Sequence, residues 1–61
     1  MESVDAIVIE IIKEPYQLEN GRWEIIIKAQ INETIRDEKF NRPLKQEVDL
    51  ITIGYKYKTL L

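Results

Sequence analysis

Residues 23–32 read Trp23-Glu24-Ile25-Ile26-Ile27-Lys28-Ala29-Gln30-Ile31-Asn32. Trp23, Ile25, Ile27, Ala29 and Ile31 occupy one parity of this stretch, and Glu24, Lys28, Gln30 and Asn32 occupy the other. Side chains alternate across a strand, so a period of two gives this segment one core face and one wet face. Ile26 is the exception on the wet side. No other stretch of the chain alternates as cleanly, and its odd-numbered face is expected to point into the core.

Working toward the N-terminus, Val4 to Lys13 is a second strand. Val4, Ala6, Val8 and Ile12 share one face by strict alternation, and Ile7, Ile9 and Ile11 share the other. Glu10 interrupts the first face. Bulky apolar groups on both faces suit a strand covered on both sides. Pro15 lacks an amide donor and is expected to end the ladder. Tyr16 to Gly21 then forms a connection, with Asn20-Gly21 as its tightest corner because both residues tolerate positive φ. The two strands are expected to form an antiparallel hairpin.

Toward the C-terminus the pattern weakens. Glu33 to Arg42 reads either as a short polar strand continuing the one before it or as an irregular arm, ended by Asn41-Arg42-Pro43. Leu44 to Leu50 fits a helical turn and a half, with Lys45 and Asp49 as an i,i+4 pair. The strand reading, from about Gln46 to Ile53, is preferred. Gly54 then marks a bulge or bend. Tyr55 to Thr59 reads as a last, half-exposed strand.

The chain has 61 residues, which is one domain, residues 1–61. Its 11 Ile, 5 Leu and 3 Val are mostly β-branched and favour strands. The expected fold is all-β: a small antiparallel sheet of four or five strands curled into an open barrel. In size and strand spacing it resembles the small SH3-like modules. The rival is an α+β arrangement of three strands with one short helix near 43–50. A core this small is marginal unless reinforced. With no Cys and no His, disulfides and ordinary zinc sites are excluded as the reinforcement. A partner subunit or an unusually good core remains.

The same composition bears on chemistry. Ser3 is the only Ser and has no His or Cys to activate it, so a nucleophilic triad is excluded. Two glycines cannot build a phosphate loop. Glu10 and Glu24 are placed across the hairpin from one another as a possible carboxylate pair, but water-facing acids paired with Lys13 or Lys28 are the simpler reading. Asp37-Glu38 with Asn41 lacks the Gly and terminal Glu of a calcium loop. No catalysis, cofactor or metal is expected. No apolar run approaches the roughly 20 residues of a membrane span, and the acidic start is unlike a secretory signal, so the cytoplasm is the expected location.

Charge is uneven. Residues 1–34 carry 7 acids and 3 bases, and residues 35–61 carry 4 acids and 6 bases. Two binding roles follow from these features. The leading one is a noncatalytic protein-protein interaction or structural module that self-associates, a dimer first, with a heterologous protein as the other partner. Its interface residues are Ile7, Ile9 and Ile11, with Trp23, Phe40 and Arg42 as aromatic anchors and rim donor. The alternative is a nucleic-acid-binding module using Arg36, Lys39, Arg42, Tyr55, Lys56, Tyr57 and Lys58. Against it, the pI of about 5.0 disfavours a broad phosphate-binding surface. Alternation also puts Tyr55 and Tyr57 on the face opposite Lys56 and Lys58.

Overall fold

The computed structural model describes residues 2–60. Its elements are strand β1 (Ser3–Gln17), strand β2 (Trp23–Ile31), strand β3 (Thr34–Arg42), helix α1 (Lys45–Asp49) and strand β4 (Lys56–Leu60). The strands form one antiparallel sheet in the order β3-β2-β1-β4. The sheet curls into an SH3-like open barrel, and α1 lies across its concave side.

β2 behaves as its alternation requires. Ile25, Ile27, Ala29 and Ile31 are all buried, and together with Ala6, Val8, Val48 and Ile51 they form the core. Val4, Ile11, Trp23, Phe40 and Tyr57 pack around it.

β1 departs from strict alternation. Its register against β2 shifts between Val8 and Glu10, between Ile11 and Lys13, and between Lys13 and Tyr16. At each shift β1 spends one more residue than β2, which is the definition of a bulge. A straight strand of 15 residues would be about 50 Å long, whereas the longest dimension of the molecule is 34 Å. The bulges bend β1 so that it fits. They also change which residues share a face. Val8 and Ile11 both face the core, and Ile12 is left exposed. The expected grouping of Ile7, Ile9 and Ile11 on one face therefore fails at Ile11.

Pro15 does not end β1. It falls within the last register shift, and β4 pairs β1 only from Ser3 to Ile7, so the missing amide costs no ladder bond. The connection shortens accordingly to Leu18–Arg22. Gly21 has φ 89° there, its amide donates to the Leu18 carbonyl at 2.9 Å, and the Leu18 amide donates to the Arg22 carbonyl at 2.7 Å.

β2 turns back at Asn32-Glu33, a two-residue hairpin. Asn32 has φ 56°, a left-handed conformation that Asn tolerates better than other residues with side chains. Residues 34–42 therefore do not continue β2 or form an irregular arm. They return beside it as β3, without a register shift from Ile31↔Thr34 to Trp23↔Arg42.

The preferred strand over 46–53 is also corrected, because Lys45–Asp49 is helical. Val48 is completely buried and Ile51 nearly so, while Leu50 between them is 70% exposed. A strand would put Val48 and Leu50 on the same face. One helical turn brings Val48 onto the concave face, and Lys45 and Asp49 pair at 3.1 Å on its outer side. The N-cap residue Leu44 makes no side-chain capping bond. A five-residue helix without one is held by its packing rather than by its propensity.

The accessible surface is 4382 Å², against about 4,200 Å² for a folded monomer of this mass. The chain thus closes its own core. Urea unfolding followed by circular dichroism should show Ile27→Ala costing about 2–5 kcal/mol, and Leu50→Ala should stay within about 0.5 kcal/mol of the parent.

Candidate interaction site

Two surface features have the geometry of a contact site, and both arise from how far the sheet fails to close. The first is an apolar groove of about 460 Å³ beside the second half of β1. Ile11 and Pro15 of β1, Ile25 of β2, and Val48, Ile51 and Ile53 line it, with Glu14 and Asp49 among its polar lining residues. β4 stops pairing at Ile7 of β1, and beyond Val8 the segment leading out of α1 takes its place alongside without pairing. Ile53 lines the groove at 68% exposure, and Leu50, between the lining residues Asp49 and Ile51 in sequence, is 70% exposed. Ile12, extruded by its bulge from the part of β1 next to the groove-lining Ile11, is exposed as well.

The second feature is the seam of the open barrel, between β3 and β4. Among the described residues no Cα of β3 lies within 8 Å of a Cα of β4, so the two strands do not pair. Side chains bridge them instead. The Phe40 and Tyr57 rings meet edge to face with centroids 4.9 Å apart, and Tyr57 stacks with Tyr55 at 6.1 Å. Arg36 Nη2 donates to Glu38 Oε1 at 2.8 Å, to Thr59 Oγ1 at 3.0 Å and to the Leu60 carbonyl at 3.2 Å. Thr59 Oγ1 donates in turn to Glu38 Oε1 at 3.3 Å. Two polar atoms of this seam, Arg36 Nε and Tyr57 Oη, are buried without a partner among the described residues. Burial raises the Tyr57 phenol above its ordinary pKa, and the Glu38 carboxylate adds to the effect.

The residues singled out from sequence distribute unevenly over these features. Ile11 lines the groove, whereas Ile7 pairs with Gln30 and Lys56 on the convex face and Ile9 sits half-buried in the first bulge. The three isoleucines do not form one surface. Trp23 and Phe40 are half-buried against the core. Arg42 lies over the Phe40 ring at 5.4 Å.

Arg36, Lys39, Arg42, Tyr55, Lys56, Tyr57 and Lys58 come from two distant stretches of sequence, and the fold gathers them on or beside β3 and β4. It does not aim them together. Tyr57 lies on the concave side with its ring spent on Phe40, while Lys56 and Lys58 pair with Ile7 and Asp5 on the convex side. Lys58 is bound to Asp5 at 2.5 Å, which holds the Asp5 carboxyl below its ordinary pKa.

Glu10 and Glu24 do not face one another. Glu10 is opposite Lys28, and Glu24 is opposite Tyr16. Asp37, Glu38 and Asn41 belong to β3 rather than to a loop. Among the described residues no three Asp or Glu side chains gather as a metal site would require, and no helix is long and apolar enough to cross a membrane.

Glu24 anchors the polar network on the convex face. It accepts from the Tyr16 hydroxyl at 2.6 Å and from Asn41 Nδ2 at 3.1 Å, and Asn41 Oδ1 accepts from Arg22 Nε. Leu50, Ile53 and the seam are what sequence reasoning missed. Leu50 and Ile53 had been placed within a strand, and the seam depends on the curl of the whole sheet.

Known protein families, curated proteins and solved structures offer no match to the chain.

The two hydrogen bonds from Tyr16 and Asn41 favour the ionised form of Glu24 and lower its pKa. A carboxyl lowered on folding stabilises the fold above its unfolded pKa, and that contribution disappears as pH falls through the folded value. Urea midpoints measured down the acid limb should therefore fall less steeply for Glu24→Gln than for the parent chain.

Proposed function

We propose that the protein is a noncatalytic interaction module that self-associates through the groove beside β1. The carrying observation is that Leu50 and Ile53 stay largely exposed on a chain that has already buried a core of its own. Large apolar side chains clustered at a groove favour a protein contact over water. Each copy carries both a groove floored by Ile25, Val48 and Ile51 and an exposed Leu50 that stands in sequence between two of its lining residues, Asp49 and Ile51. Knob and groove on one surface suit a two-fold contact, in which each copy's Leu50 enters the other's groove.

Three features support this choice of surface over the convex face. Ile7 and Ile26 are separated there by the charged row Glu10, Lys28 and Asp37. The bulges and Pro15 leave the neighbouring edge of β1 unsuited to strand pairing, so contact there runs through side chains. In the groove most of the lining side chains are apolar, with Glu14, Asp49 and Thr52 among them. Asp49 is already paired with Lys45, which reduces the repulsion between two copies.

Light scattering coupled to size exclusion, run across a wide concentration range, tests the proposal. The parent chain should shift from monomer to dimer mass as concentration rises. Leu50→Lys and Ile53→Lys should remain folded monomers throughout, since both side chains project into solvent. A parent chain that stays monomeric at every concentration, or a dimer indifferent to both substitutions, overturns it.

A further inference from the structure

We propose that the seam between β3 and β4 receives an extended acidic segment of a partner protein, which completes the barrel as a fifth strand. This site is separate from the groove, and different observations carry it.

The backbone of both seam edges is open. The Val8 amide donates to the Tyr55 carbonyl at 2.9 Å. Along an antiparallel ladder, pairs that exchange both bonds alternate with pairs that exchange none. Counting from Val8 in the register of β1 and β4, Lys56, Lys58 and Leu60 direct their amides and carbonyls away from β1, toward the seam. The outer edge of β3 is likewise unpaired over its whole length, with no bulge and no internal proline to protect it.

The two edges stand farther apart than directly paired strands. Directly paired strands lie about 4.8 Å apart, so a single missing strand leaves roughly 10 Å. The Cα atoms of β3 and β4 are more than 8 Å apart, yet one guanidinium reaches across. Arg36 Nη2 already donates to the Leu60 carbonyl, the bond that an amide of an inserted strand would make. Among the described residues Arg36 Nε and Tyr57 Oη remain without partners, and the backbone of an incoming strand offers carbonyls to both side chains.

Charge selects the occupant. β3 and β4 carry five cations against two carboxylates, a net of +3 on a chain whose overall charge is -2. Lys39, Arg42 and Lys56 have no Asp or Glu side chain at ion-pair distance among the described residues. Lys39 and Lys56 lie on the convex face, while Phe40 and Tyr57 lie on the concave one. An inserted strand would therefore place acids outward beside the lysines and aliphatic side chains inward against the rings, a period of two.

The test uses the whole chain and a synthetic peptide of about eight residues alternating Val and Glu, followed by amide chemical shifts in NMR. The expected result is saturable binding whose shifts concentrate on β3 and β4 and leave Ile51 and Ile53 unmoved. Lys39→Glu combined with Lys56→Glu should weaken it by at least about tenfold without altering the oligomeric state. A Val-Lys peptide that binds equally well, shifts centred on the groove, binding of oligothymidylate but not of the acidic peptide, or no binding of the acidic peptide each overturns the proposal. Failure of this titration leaves the light-scattering result for the groove unaffected.

Discussion

β1 has more residues than β2 can match, and the excess is absorbed in bulges. Each bulge bends the strand and increases its twist. A long strand coiled in this way curls the sheet it belongs to, so that β3 and β4 at the two ends of the strand order approach across the concave side without meeting. The core lies within that curl. Ile25, Ile27, Ala29 and Ile31 form its floor, and Val48 and Ile51 close it from above. A flat sheet would have left the same isoleucines facing water and would have required a second chain to cover them.

The coiling of β1 also accounts for both surface features. Because β1 outruns β4, about two thirds of it has no strand on one side, and the groove forms between that part and the chain leaving α1. Because the curl stops short of closure, the seam is filled by side chains rather than by backbone bonds. The side chains that fill it are adequate but incomplete: Phe40 and Tyr57 pack edge to face, the two hydrogens of Arg36 Nη2 are shared among three acceptors, and two buried polar atoms are left over among the described residues. Unpaired buried polar groups are uncommon in folded proteins because each carries a desolvation penalty. Their presence among the described residues of the seam is what distinguishes it from the groove.

Much of this was legible in the residues. The alternation of Trp23 to Ile31 assigned the inner face of β2 correctly, since burial follows parity wherever the register is unbroken. The open barrel followed from the β-branched composition and the strand spacing. Two local readings failed for related reasons. Pro15 reads as a strand end in the sequence, but a proline interrupts only a ladder that needs its amide, and here none does. The segment at Val48 reads as a strand in the sequence and is a helix in the fold, because alternation and helical periodicity are nearly indistinguishable over so few apolar residues. The turn at Asn32-Glu33 had a usable signal in its Asn, which was obscured by reading the alternation one residue too far. Of the candidate interface residues, Ile11 lines the groove, while Ile7 and Ile9 lie on other parts of β1.

By itself the sequence determined that this chain forms strands, which strand supplies the floor of the core, and that nucleophilic triads, thiolate metal sites and phosphate loops are closed to it. Those conclusions depend on residue type and local period, which a linear reading contains. The tertiary structure decided where β1 bends, that residues 45–49 become a helix, that Leu50 and Ile53 stay outside, and that Arg36 and Tyr57 meet over a gap. Those outcomes depend on register between strands far apart in the chain and on how much curvature the bulges impose, and neither quantity is written in any single stretch of residues.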